Sequence, residues 1–349
     1  MGEKIKGKEF ALNILNGISM GVVVSLIPSA ILGKLMEALV DVWPTFANGV
    51  LDIVNFNMSL LAAMAGFSVG YLFKMNMVQM SSIAGAAMIG SGVIQKGQQG
   101  FILSGTGDVI NAGVTITIAV ILAQIIGDRF KSYTILLLPI VVIIVGGSLG
   151  LFTLPYVKAI TGFIGMVIKT FTSLQPILMG ILMGISFAVL ICSPVSSVAI
   201  GAAVGLTGIA SGSANLGITA GAFTLAVMGS SVNSVGTVIA HFFGTPKIQM
   251  GNMMEKPVIY LPVMLSAGIV GALGAIFNIQ GTPMSAGFGF SGLVGPLTAY
   301  GFMTPGIAST VILVSLFVVL PICLGFIMRF LFIKKWQLFS PQDLLIETK

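Results

Sequence analysis

Polar residues are scarce in this chain of 349 residues, so the few places where they cluster are where chemistry is to be sought. Ser193-Pro194-Val195-Ser196-Ser197 interrupts an apolar run. Pro194 has no backbone donor and frees a carbonyl upstream; the serines either repair that kink locally or bond a hydroxyl-rich solute. Ser230, Ser231, Asn233 and Ser234 form a second polar knot, and His241, the only histidine, follows one to two turns later. An ionisable residue in a membrane segment is a functional candidate by default, although His241 near the end of an expected span also fits an interfacial role. The densest polar stretch runs from Gly244 to Pro257 and carries Lys247, Gln249, Asn252, Glu255 and Lys256. It reads as a cytoplasmic loop or as one folded inward to line a cavity; Glu255 and Lys256 fit a solvated pair. In Gly105–Asn111, Asp108 stands where it would cap a helix N-terminus.

Hydroxyls and amides offer donors and acceptors without net charge, which suits a neutral polyhydroxy ligand. The residues expected to contact solute are Ser81, Ser82, Ser193, Ser196, Ser197, Asn233, His241, Gln249 and Asn252, with Asp108, Asn111 and Glu255 as weaker candidates. The same set would serve an ion-coupled transporter. No catalytic residues, metal or cofactor are expected. The sequence has no Walker A motif and no His/Cys ligand cluster, and a lone histidine leaves no plausible Ser/His/Asp constellation. Gly287-Phe288-Gly289-Phe290-Ser291-Gly292 matches GxGxxG, but without a preceding strand it is no dinucleotide site.

The elements that must hold these residues are membrane helices. Hydrophobic residues make up 56% of the chain and charged ones 7%, with a mean hydropathy of +1.09. That composition excludes a soluble enzyme, a disordered regulator and a nucleic-acid-binding domain, since a soluble surface could not be this apolar. Between Lys169 and Lys247 lie 77 residues without Asp, Glu, Lys or Arg, and between Lys256 and Arg329 another 72. A crossing takes about 20 residues, so each stretch holds two or three. Runs at 10–33, 48–73, 77–94, 108–127, 133–155, 174–192, 196–212, 216–240, 257–278 and 307–333 give about ten crossings. Residues 156–170 look amphipathic and suited to the membrane surface, and the Gly-rich stretch 284–304 to a re-entrant hairpin. Lys4, Lys6 and Lys8 at one end and Lys334 and Lys335 at the other place residues 1–9 and the tail 336–349 in the cytoplasm. Asp128, Arg129 and Lys131 mark a further cytoplasmic loop. Cys192 and Cys323 sit in apolar runs as buried thiols. The net charge of +6 comes largely from the ends and loops and says little about partners.

A weak internal repeat is visible. Ser81-Ser82-Ile83-Ala84-Gly85-Ala86-Ala87 recurs as Ser196-Ser197-Val198-Ala199-Ile200-Gly201-Ala202-Ala203, within candidate repeats 58–127 and 178–240. Each copy follows an apolar helix and precedes a polar break, Gly105–Asn111 in one and Ser211–Asn215 in the other. Transporters commonly carry such duplications; chance similarity of Ala/Gly/Ser-rich segments is the plainer reading. Forty-five glycines, including the pairs Gly66/Gly70, Gly146/Gly150 and Gly201/Gly205, let helices approach closely.

Gly107-Asp108-Val109-Ile110-Asn111-Ala112, the loop Thr245–Asn252 and the stretch Ser285–Pro296 together resemble the EIIC-like membrane components of phosphotransferase systems, and within them the group containing the PfoR-type toxin regulator. The resemblance covers nearly the whole chain. It implies an all-α polytopic protein of the bacterial inner membrane with one EIIC-like domain over 10–335. It further implies a homodimer in lipid that moves a sugar, polyol or related solute by an elevator-like motion. Phosphotransfer would need separate IIA and IIB chains, because no phosphoryl-carrying domain is present. The sugar channels use a Glu and often a His near the sugar; His241 and Glu255 are the only stand-ins here, in a different context. A non-transporting sensor with the same fold, and an ion-coupled secondary transporter, are the alternative readings.

Overall fold

Proline and glycine decide where these helices bend and stop. A computed structural model of the chain describes residues 7–98, 100–127, 133–283 and 285–346. Asp128, Arg129 and Lys131 lie outside them. The chain forms two compact units, Met1–Ser29 with Leu39–Ile160, and Ala30–Ala38 with Thr161–Lys349.

The first unit begins with α1 (Gly7–Leu39), which contains Pro28. A proline strands the carbonyl four residues earlier. Asn57 fills that gap, its Nδ2 donating to Val24 O at 3.1 Å and to Ser25 O at 3.0 Å. Asn57 belongs to α2 (Pro44–Ser59), which meets α3 (Leu61–Leu72) at a bend of 51°. Next comes α4 (Met77–Gly90), opened by a reciprocal cap between Asn76 and Gln79. An antiparallel hairpin, β1 (Ile94–Gly97) with β2 (Gly100–Leu103), precedes α5 (Val109–Ile126). Then α6 (Thr134–Ile140), a π-helical turn (Val141–Gly146) and α7 (Gly147–Phe171) run on as one apolar helix of 38 residues. The π turn follows Pro139 and absorbs the hydrogen bond it removes. The sequence had suggested a separate surface helix at 156–170; these residues instead continue α7, because Pro155 costs a bond without breaking the helix. At about 1.5 Å per residue the helix is roughly 57 Å long, so it overhangs a hydrocarbon core of about 30 Å even when tilted.

The second unit is built on α8 (Pro176–Ile191), α10 (Gly208–Gly229) and α13 (Tyr260–Ile276), with α9 (Ser197–Val204) between the first two. Every residue of α10 from Ala210 to Gly229 is buried. Glycine makes this possible: a Cβ on Gly217 would fall inside the backbone of Gly184, and one on Gly180 inside that of Gly271. Spans at 196–212 and 216–240 were expected, whereas the chain forms the short α9 and the continuous α10. Gly205 turns left-handed (φ 68°) and ends α9. Ser211 and Ser213, which looked like a break, lie inside α10 and donate to Thr282 O (2.9 Å) and Gly271 O (3.0 Å).

After α10 come α11 (Val235–Ile239), a π turn (Ala240–Gly244), a short 3-10 helix (Pro246–Gln249) and α12 (Met250–Glu255). Beyond α13, a Gly-rich loop leads into α14 (Val294–Gly301), α15 (Ile307–Val314) and α16 (Leu320–Met328). Phe223, Phe290, Phe317 and Leu324 join them in one apolar core. Among the described residues five helices are long and apolar enough to cross a membrane, or six counting the bent pair of α2 and α3. The architecture is thus all-α and polytopic. Several runs among the ten expected crossings are short helices (α4, α8) or, like α10, rich in Gly, Ser and Thr.

Gly217→Ala should cost about 1–3 kcal/mol by overpacking and lower the thermal midpoint of the detergent-solubilised protein. Gly49→Ala on α2, where a Cβ meets open space, should leave the midpoint unchanged or raise it. Equal effects would contradict this packing.

Candidate functional site

The last carbonyls of a helix have no partners within it and carry the negative end of its dipole. At the end of α8 those groups are met one by one. Ser193 Oγ donates to Leu190 O at 2.7 Å, and Tyr260 OH donates to Cys192 O at 3.1 Å. Lys247 lies buried alongside, its Nζ donating to Ser193 O and, at 2.7 Å, to Val195 O. A lysine 52 residues away in sequence thus closes the break around Pro194. On the far side, Ser196 caps α9 by accepting from Ala199 N at 3.2 Å, and Ser197 Oγ donates to Gly287 O at 2.8 Å.

Gly287 belongs to the Gly-rich loop, which joins α10 by an antiparallel bridge between Gly208 and Gly281. A side chain at Gly287 (φ 95°) would run into the backbone of Ser197 and Val198, so only glycine lets the loop lie against the start of α9. Asn215, buried in α10, accepts from Gly289 N at 3.1 Å. Ser291 Oγ donates to Gly244 O at the end of the π turn. The Gly-rich loop therefore joins three segments: it bonds α10 through Asn215, the far side of the α8–α9 break through Ser197, and the π turn through Ser291.

His241 sits in that π turn, buried, with Nδ1 2.7 Å from Thr237 O. A carbonyl only accepts, so Nδ1 carries the proton and Nε2 presents a lone pair. Among the described residues, the buried side-chain polar atoms without a partner are His241 Nε2 and Thr134 Oγ1 at the start of α6. The other expected residues lie elsewhere. Asn233, Gln249 and Asn252 turn their amides to the backbone of residues 344–346. Glu255 ends α12 and is exposed. In the first unit, Ser81 and Ser82 line a shallow groove of ≈ 350 Å³ with Met77, Val78, Pro139 and Ile143, and Ser82 Oγ donates to Val78 O at 2.7 Å. Asp108 caps α5 by accepting from Asn111 N at 2.9 Å. Asn111 is buried; its Nδ2 donates to Gly90 O and, over 2.7 Å, Gly150 O, and its Oδ1 accepts from Thr153 Oγ1 at 2.8 Å.

The family model described as "Phosphotransferase system, EIIC" matches residues 12–346. This chain is a member of the EIIC family. Comparison with curated proteins found no match, and neither did comparison with solved structures. As an EIIC it is a multi-pass membrane protein of the phosphotransferase type of transporter, the component that works in lipid with IIA and IIB partners.

Two features of this EIIC escaped the sequence reading. Lys247 is the only charged residue between Lys169 and Glu255, and that isolation is the signal in the sequence that sets it apart. Asn111-Ala112-Gly113-Val114-Thr115 and Asn215-Leu216-Gly217-Ile218-Thr219 share one pattern. In both, the threonine hydroxyl donates to the asparagine carbonyl at 2.8 Å while the asparagine side chain holds a glycine backbone from another segment.

Lys247→Met keeps the volume but strands the Ser193 and Val195 carbonyls, at about 1–3 kcal/mol for each buried group left unpaired. A lower thermal midpoint and faster amide exchange across residues 193–199 are expected. Unchanged exchange there would show that the lysine does not close the break.

Proposed function

We propose that this EIIC carries a small neutral polyhydroxy solute, a sugar, polyol or related metabolite, and that the solute is held in the second unit where the α8–α9 break, the Gly-rich loop and the π turn meet. The observation that carries the reading is His241 Nε2, a buried acceptor with no protein partner. Such an atom costs about 1–3 kcal/mol, and a solute hydroxyl would satisfy it. The Ser197 hydroxyl spends its proton on Gly287 O and keeps its lone pairs for solute hydroxyls; Ser193 Oγ donates to Leu190 O and accepts from Val195 N at 3.2 Å, which leaves it one lone pair. Ser196 edges the same break. Ser81 and Ser82 are the corresponding positions of the first repeat.

In this reading residues 10–335 act as one EIIC domain with repeats at 58–127 and 178–240. The protein works as a homodimer in the bacterial inner membrane with both ends in the cytoplasm. The solute crosses by an elevator-like movement, and IIA and IIB chains supply the phosphoryl group. Irregular backbone at membrane depth is tolerated where it is buried in protein or lines a cavity, which fits a site made of loops held against α10.

The test is a thermal-shift panel of sugars, polyols, sugar phosphates, organic acids, nucleosides and Na⁺ on the purified protein and on His241→Ala. A ligand at 100 times its Kd stabilises by about 2.7 kcal/mol. A neutral polyhydroxy compound should stabilise the unaltered protein and bind His241→Ala about tenfold more weakly. A response confined to Na⁺ or organic acids, or equal binding by the variant, would overturn the reading.

A further inference from the structure

The amides of Asn233, Gln249 and Asn252 converge on the backbone of residues 344–346, where a 3-10 turn (Pro341–Leu344) passes into the extended residue Leu345. Asn233 brackets Leu345: Nδ2 donates to Leu344 O at 2.8 Å and Oδ1 accepts from Ile346 N at 2.8 Å. Gln249 Nε2 adds a second donor to Leu344 O at 2.9 Å, and Asn252 Nδ2 donates to Leu345 O at 2.9 Å. Gln249 is wholly buried, and its Oε1 accepts from Asn252 Nδ2 at 2.8 Å, which orients both amides. These contacts hold peptide backbone through its own N–H and C=O groups, whatever side chains it bears.

Two side chains add selectivity. Leu344 is fully buried against Gly229, where a Cβ would stand 3.3 Å from its own. Asp343 pairs with Lys256 at 2.8 Å. Partial burial raises the Asp343 pKa, but hydrogen bonds from Lys256 and Ser340 outweigh it and hold the carboxyl below its ordinary value. The pair is therefore at full strength above an ordinary carboxylate's pKa and is lost as pH falls through the lowered one.

We propose that Asn233, Gln249, Asn252 and Lys256 form a binding site for a peptide that presents an acidic residue followed by leucine at the end of a 3-10 turn, and that residues 340–346 occupy it as a releasable strap. Asn233 precedes the stretch that carries His241 and Lys247, while Gln249 and Asn252 follow it. The strap therefore fastens both flanks of that stretch, and its release loosens them. What this does to solute handling rests on the proposed role of His241; the peptide site does not.

The experiment uses the whole chain in detergent and a fluorescent synthetic peptide, Ser-Pro-Gln-Asp-Leu-Leu-Ile, copying residues 340–346, with binding read by anisotropy. In the unaltered protein the tethered strap competes at an effective concentration on the millimolar scale. Leu344→Asp releases it, so this variant should bind the peptide at least about tenfold more tightly. Lys256→Glu should prefer a peptide carrying Asp343→Lys over the original by several-fold. Lys256 is 40% exposed, so its reversal spares the fold and this arm stands even if Leu344→Asp does not fold. Equal peptide affinity in a well-folded Leu344→Asp and the unaltered protein, or no preference in Lys256→Glu, would overturn the proposal. Failure here would leave the solute panel untouched, because the panel does not involve the strap.

Discussion

The second unit depends on helices that touch backbone to backbone. Between α8, α10 and α13 the glycines at 180, 184, 217 and 271 leave no room for a Cβ, so α10 is enclosed along its length. In lipid, where tails are as apolar as leucine, such close packing and interhelical hydrogen bonds do the work that water drives in soluble proteins. Ser213 to Gly271 O and Thr224 to Ser266, at 3.0 and 2.9 Å, are those bonds here. Because α10 has no lipid-facing side, its polar groups are free to hold loops. Asn215 and Ser211 do so, and they anchor the Gly-rich loop.

Each irregular piece of backbone is then met by a specific donor or acceptor. Lys247 and Tyr260 close the end of α8, Ser197 binds the loop to α9, and Ser291 ties the loop to the π turn. Within this set His241 Nε2 stands out because everything around it has been satisfied. An ammonium bonded to carbonyls at a helix end is chiefly a positioning group, so the proposed solute site rests on neutral hydroxyls and one imidazole.

Composition and charge spacing made the membrane class legible, and the motifs at 107–112, 245–252 and 285–296 made the family legible. The line of α10 was not legible, because Ser211, Ser213 and Asn215 read as a break until the backbone groups they serve, 58 to 74 residues away, are known. Distance also hid the partners of Asn233, Gln249 and Asn252. Amides beside an apolar run look alike whether they await a solute or hold residues 344–346, 93 to 113 positions on. The paired Asn-x-Gly-x-Thr pattern was visible, but only its geometry explains it: the glycine admits a neighbour while the asparagine grips one.

The most direct test of this account is amide hydrogen exchange of the protein with and without a stabilising polyhydroxy ligand, resolved by segment. Solute bound where the three irregular segments meet should slow exchange at 193–199, 239–245 and 285–291 together, leaving the first unit unchanged. Protection confined to the first unit, or at one of the three segments without the others, would contradict it.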